Sequence, residues 1–395
     1  MTVLTSRRSS ALLLVLSATM ILDAVEVSVV LVAVPHVAAD LGLSLVSAQW
    51  LVSGFAAGFA VLLPFGPWLA RRFGRRRTYL TAMAGFAVAS LAGGVADSGA
   101  VLIGIRAVKG MCAALTAPAG LAIIATTYPD EAARRRAVAV YSLFGAAGFT
   151  TGLLLSGVLA ESGWRWTFVF PAPVAIALML LSRRLLPPDS PESAHSDVRP
   201  TGLRITGALL GAAVTASALN GGYQTLLLLL TFDLQGRFGW TGWQSAFALL
   251  PACLPLALAA PWGAALVARF GGDRLIALGA AAALLGYLSL LWHPHPARYV
   301  TGVLPALSLV GLGLVLSFAA LNMRATTAAP PGRGPAAIAF YQAAVQAGTV
   351  ALLPVAATVT AAGERRTAWL ILSLAAAVGL LAAVGVSSPH RKAVP

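Results

Sequence analysis

Hydrophobic side chains fill long unbroken stretches of this chain, separated by short breaks rich in Arg, Gly and Pro. Twelve such stretches stand out, at roughly 11–34, 48–70, 78–96, 100–125, 137–159, 166–186, 204–232, 242–268, 275–292, 300–323, 335–361 and 367–387. About 20 apolar residues in a helix are enough to cross a bilayer. The stretches are continuous and too long for tilted barrel strands. The pattern predicts an all-α integral membrane protein with twelve transmembrane helices.

Composition and charge sharpen this picture. Of 395 residues 58% are apolar and 10% charged, and the mean hydropathy is +0.84, whereas soluble domains carry about 25% charged residues. A net charge of +14 suggests nucleic acid, but its placement argues otherwise. With a cytoplasmic start, 20 of the 27 Lys and Arg fall on the cytoplasmic side, five fall outside and two lie within a span. That bias predicts a multi-pass protein of a bacterial-type inner (plasma) membrane with both termini cytoplasmic, and no nucleic-acid partner. The first stretch is too long and too acidic for a cleaved signal peptide. Cys112 and Cys253 both lie within spans, so no disulfide is expected. His293 and His295 flank Pro294 in a loop and give no metal site. With no nucleotide-binding Gly-Lys-Ser/Thr loop and no metal-ligand cluster, neither enzyme activity nor a cofactor is expected. Transport would draw on an ion gradient.

The longest polar stretch, Arg183 to Arg204, divides the chain near its middle. It predicts an N-terminal six-helix bundle at 1–186, a cytoplasmic linker at 187–203 and a C-terminal six-helix bundle at 204–395. An internal repeat supports the division. Pro64-Phe-Gly-Pro-Trp-Leu-Ala-Arg-Arg-Phe-Gly74 recurs as Pro261-Trp-Gly-Ala-Ala-Leu-Val-Ala-Arg-Phe-Gly271, with six of eleven positions identical at an offset of 197. Parallel six-span repeats, related by an axis along the membrane normal, are a transporter architecture with its site near the midplane.

Two carboxylates interrupt the first stretch. Asp23 and Glu26 lie one turn apart on one helix face. In the fourth stretch Arg106 and Lys109 do the same. Measured at 1.5 Å per residue, Glu26 and Lys109 sit at a similar depth, about 12–14 Å below the outer face. Charges at bilayer depth cost about 2.5–3.5 kcal/mol each and mark functional sites by default. The two acids and two bases are therefore expected to neutralise each other or to face water. The rest of the spans offer polar groups rather than charges: Asn220, Tyr223 and Gln224 in the seventh, Asn322 in the tenth, and Gln342 with Gln346 in the eleventh. These are candidates for a substrate cavity or for interhelical hydrogen bonds.

The repeated loop resembles the signature Gly-x-x-x-Asp-Arg-x-Gly-Arg-Arg of the major facilitator superfamily. Arg72, Gly74, Arg75 and Arg76 match it, and Arg71 stands at the acidic position. The chain is most similar to that family's multidrug:proton antiporter group, which usually has fourteen spans. The first-span motif Leu-Asp-x-Thr-Ile-Val-Asn-Val-Ala-Leu-Pro aligns with Val25-Glu26-Val-Ser28-Val-Val-Leu-Val-Ala33-Val-Pro35, so Glu26 takes the acidic position and Asp23 is an additional acid. Arg106-Ala-Val-Lys109-Gly110 resembles Arg-x-x-Gln-Gly, with lysine for glutamine, and Trp164-Arg165-Trp166-Thr-Phe168 matches Trp-Arg-Trp-x-Phe. The antiporter signature Gly-Pro-x-x-Gly-Gly is degraded to Gly148-Phe149-Thr-Thr-Gly152-Leu153.

The resemblance implies two bundles related by a pseudo-twofold axis, with helices 1, 4, 7 and 10 lining a central cavity. It implies a gating role for Arg72, Gly74, Arg75 and Arg76. The function expected is proton-coupled efflux of small amphipathic or cationic compounds such as drugs and natural products, by alternating access, in a monomer. Glu26 and Asp23 would couple protons, with Arg106 and Lys109 as charge partners. One alternative is a proton-coupled importer whose Lys109 and Arg106 bind an anionic metabolite. Another is a membrane sensor or lipid-binding relative that transports nothing.

Overall fold

The computed structural model describes residues 6–128, 130–186, 205–328 and 334–385. The expected linker, 187–203, lies outside the described residues. Among those residues the chain is helical throughout, with no strand. In chain order the α-helices are α1 (Ser6–Ser28), α2 (Val34–Asp40), α3 (Leu45–Ala48), α4 (Trp50–Leu62), α5 (Gly66–Phe73), α6 (Arg75–Gly94), α7 (Gly99–Thr127), α8 (Glu131–Ser162), α9 (Trp166–Val169), α10 (Pro171–Leu185), α11 (Gly207–Gly236), α12 (Gly242–Ala259), α13 (Gly263–Phe270), α14 (Gly272–Trp292), α15 (Leu304–Thr327), α16 (Gly334–Ala361) and α17 (Arg365–Gly385). Backbone polar groups in hydrocarbon must be satisfied within the segment, which is why apolar runs of this length become helices.

Ten helical stretches among the described residues are long and apolar enough to cross a membrane. They fall on ten of the twelve expected spans. The other two expected spans fall on α6 and α11, 20 and 30 residues long. Both are more polar: α6 opens with Arg75, Arg76 and Arg77, and α11 carries Asn220, Tyr223, Gln224 and Asp233.

The chain divides into two compact units. One is Met1–Leu43, Trp50–Thr201 and Phe238–Ala246; the other is Ser44–Gln49, Gly202–Arg237 and Phe247–Pro395. In the first, α1 packs on α8, α4 on α7 and α6 on α10; in the second, α11 packs on α16, and α14 on both α15 and α17. Small residues set these approaches, as expected where helices associate by close packing in lipid. A Cβ on Gly58 would overlap the carbonyl of Ala107, and one on Gly110 the carbonyl of Phe55, so α4 and α7 touch backbone to backbone. Gly148 of α8 lies against α1, where a Cβ would come 2.9 Å from the carbonyl of Ile21. These contacts bring the carboxylates of α1 and the cations of α7 into one bundle.

The first expected span is not one helix. α1 ends at Ser28, buried turns occupy residues 29–33, and α2 begins at Val34. Pro35 in the first turn of α2 has no N–H to bond the carbonyl four residues back. Val29, Val30 and Val32 are β-branched and only modest helix formers. The break begins within one turn after Glu26.

The two copies of the repeat adopt the same local structure. In each, a 3-10 turn containing the proline, Leu63–Phe65 or Ala260–Trp262, leads into a short helix, α5 or α13. Each helix ends at a glycine of positive φ, Gly74 at +91° and Gly271 at +83°, from which the next helix starts. Only glycine takes that conformation at no steric cost.

Candidate functional site

Glu26 of α1 and Arg106 and Lys109 of α7 are fully buried together. The guanidinium of Arg106 makes three hydrogen bonds from three different nitrogens. Nη1 donates to Glu26 Oε2 at 2.9 Å, Nη2 to the Glu26 carbonyl at 3.0 Å and Nε to the Leu51 carbonyl at 2.7 Å. The helix break explains the second bond. In an unbroken helix the Glu26 carbonyl would accept from residue 30; here α1 stops at Ser28 and the guanidinium takes that place. A cation at a helix C-terminus also meets the negative end of its dipole. Phe55 lies beneath the guanidinium, 4.7 Å from ring centre to Cζ.

Lys109 is held less extensively. Its Nζ donates to Glu26 Oε1 at 2.8 Å, and the ammonium sits 4.9 Å from the Phe86 ring centre and 5.9 Å from that of Phe168. Phe168 is the last residue of the Trp-Arg-Trp-x-Phe motif. It reaches the cluster across α6, where a Cβ on Gly93 would come 2.8 Å from its ring. The earlier residues of the motif serve the end of the bundle. Trp164 Nε1 donates to Asp40 Oδ2 at 2.8 Å, and Arg165 bridges Asp40 at 3.2 Å and Asp97 at 2.7 Å. Hydrogen bonding to Asp97, and then to Asp40, raises the pKa of this exposed guanidinium above its ordinary value.

Asp23 does not join the ion pairs. Its Oδ2 meets the hydroxyl of Thr116 at 2.7 Å, and the residue is 6% exposed. The expected pairing of two acids with two bases is thus redistributed: Glu26 takes both cations and Asp23 takes a neutral hydroxyl. Thr116 escaped the sequence reading. It lies seven residues after Lys109, two turns along the same face of α7, and that spacing is the signal that could have found it.

The remaining candidates are dispersed. The Asn220 amide bonds across to α16, donating to the Val345 carbonyl and to Thr349 Oγ1, each at 3.1 Å. Asn322 donates to the Phe318 carbonyl of its own helix at 2.8 Å. Tyr223 and Gln224 are buried, and the Gln224 Oε1 has no hydrogen-bond partner among the described residues. Gln342 and Gln346 are half-buried. Where α5 meets α6 at Gly74, Arg72 and Arg75 are exposed, while Arg76 Nη2 donates to the Arg183 carbonyl at 2.6 Å. The second unit also holds a charge pair that the sequence reading missed. Asp233 of α11 and Arg365 of α17, both buried, form an ion pair, with the guanidinium 5.5 Å from the Trp369 ring centre. Among the described residues no group of three or more His, Cys, Asp or Glu could hold a metal ion.

The geometry is that of a helical bundle with an internal charged site, and the chain is similar to known proteins. A solved structure of a mutant of the nucleoside transporter NupG superposes with a TM-score of 0.74 at 14% identity, covering 95% of this chain and 100% of that one, which establishes the likeness of fold. The puromycin resistance protein pur8 of Streptomyces alboniger is 33% identical over 85% of this chain and 78% of its own length. The cephamycin export protein CmcT of Amycolatopsis lactamdurans is 35% identical over 60% of this chain, a match spanning 46% of that relative's length. Residues 16–352 match the family model of the Major Facilitator Superfamily. The chain belongs to the Major Facilitator Superfamily of membrane transporters.

Proposed function

We propose that this protein exports small amphipathic or cationic compounds in exchange for protons, by alternating access, as a monomer in the inner (plasma) membrane. The observation that carries the reading is the pair of buried carboxylates, Asp23 and Glu26, one turn apart in a broken helix. Burying charge costs several kcal/mol per group, and a carboxylate can avoid that cost by binding a proton. Half-helix ends at such a break are a recurring place for coupling ions in transporters. Relatives named for puromycin resistance and cephamycin export support an outward direction. We take the six-helix halves at 1–186 and 204–395 as the moving bodies and the Arg72–Arg76 junction of α5 and α6 as a gate. Gln224 is the strongest substrate contact of its half, because its Oε1 is buried without a partner among the described residues.

The importer reading needs Arg106 and Lys109 to receive a substrate carboxylate. Both already bond Glu26, and Arg106 also caps two backbone carbonyls, so it is the weaker reading. Everted vesicles test the choice, with puromycin as the first compound. On this account puromycin collapses a preformed pH gradient in vesicles containing the protein and not in controls. Proton entry stimulated from the opposite face would make the protein a symporter. No linked proton movement with puromycin, ethidium or other amphipathic amines would remove transport by this route.

A further inference from the structure

Asp23 and Glu26 share a helix face yet meet opposite chemistry. Protonating Glu26 would take away the carboxylate that Arg106 and Lys109 both bond directly, and breaking a buried pair in that way is strongly unfavourable. Among the described residues no cation pairs with Asp23. Its partner is the Thr116 hydroxyl, which can either donate or accept.

The surroundings of Thr116 make that ambivalence usable. Its Oγ1 lies 2.7 Å from Asp23 Oδ2, 3.2 Å from the Ala113 carbonyl and 3.4 Å from the Cys112 carbonyl. The hydroxyl carries one proton. When Asp23 is ionised, that proton points to Oδ2. When Asp23 is protonated, the new proton sits on Oδ2 and is donated to Thr116 Oγ1, while the hydroxyl turns to the Ala113 carbonyl. No bond within Thr116 breaks, and neither state leaves a buried donor unpaired, which would otherwise cost about 1–3 kcal/mol.

We infer that Asp23, and not Glu26, carries the exchanged proton, and that Thr116 is the positioning residue that accommodates both of its protonation states. The inference rests on the proton-coupled reading above and assigns the proton within it. The other titratable groups facing Asp23 are Glu26 on its own helix, Tyr79 of α6, Cys112 of α7 and Tyr141 of α8, each close enough to feel its charge. α10 presents no charged residue before Arg183.

Infrared difference spectroscopy of the full chain in lipid, titrated across about pH 5 to 9, reads the carboxyl directly and needs no substrate. A protonated-carboxyl band that titrates is expected in the wild type and in Glu26→Gln, and its loss is expected in Asp23→Asn. Thr116→Val removes the donor that stabilises the ionised form, so the band should persist to higher pH by about tenfold in proton affinity. Thr116→Ser should restore the wild-type titration. A titrating band that survives Asp23→Asn and vanishes in Glu26→Gln overturns the inference. If Asp23→Asn does not fold, identical titrations for Thr116→Val and Thr116→Ser overturn it as well. Vesicles that show no puromycin-linked proton movement count against the exporter reading; the infrared result counts for or against Asp23 alone.

Discussion

Arg106 bonds Glu26 twice, once at the carboxylate and once at the backbone carbonyl where α1 ends. One side chain thereby neutralises the buried acid and closes the broken helix. The two contributions separate by substitution. Arg106→Leu leaves a charge imbalance in the interior and is expected to cost about 3–5 kcal/mol. Arg106→Lys keeps the charge but loses the fork that reaches the carbonyls of Glu26 and Leu51, at an expected cost of about 1–3 kcal/mol. Thermal unfolding in detergent ranks the variants; an Arg106→Lys variant as stable as the wild type would mean that capping contributes nothing.

The contact between α4 and α7 holds the cations in place, and it depends on two glycines. Gly58→Ala or Gly110→Ala would drive a methyl into the facing backbone and is expected to lower stability by about 1–3 kcal/mol or more. Gly104, on the same helix, has nothing within 4 Å of a Cβ. Gly104→Ala is expected to be neutral or to stabilise by up to about 1 kcal/mol. Melting temperatures of the three variants check the contrast, and a destabilised Gly104→Ala would contradict it.

The buried pair of Asp233 and Arg365 ties α11 to α17. Removing either partner leaves an uncompensated charge, so Asp233→Ala and Arg365→Ala are each expected to lose about 3–5 kcal/mol. Replacing both with apolar residues, as in Asp233→Leu with Arg365→Met, is expected to recover most of that loss. A double variant as unstable as the singles would point to a role for the charges beyond mutual neutralisation.

Length and hydrophobicity made the helices legible, because a bilayer admits little else for such runs. The repeat was legible because proline and glycine impose the same turn wherever they recur, as at Gly74 and Gly271. The break in the first span was not, since Val29 to Ala33 are as apolar as the helix they interrupt; only Pro35 marks it. Glu26, Arg106 and Lys109 announced themselves as charges out of place. Thr116 did not, because a threonine in a span is ordinary until the fold sets Asp23 against it. Asp233 and Arg365 lie 132 residues apart, each near a helix end where a charge reads as exposed, and only packing buries them.

Proteoliposomes with an imposed pH gradient test proton exchange through the buried carboxylates most directly. Labelled puromycin should accumulate on the acidic side against its own gradient with the wild type, and should stop accumulating when the pH gradient is collapsed. Asp23→Asn should abolish the accumulation while retaining exchange of labelled for unlabelled puromycin without a gradient. Accumulation that survives both the collapsed gradient and Asp23→Asn would contradict the account.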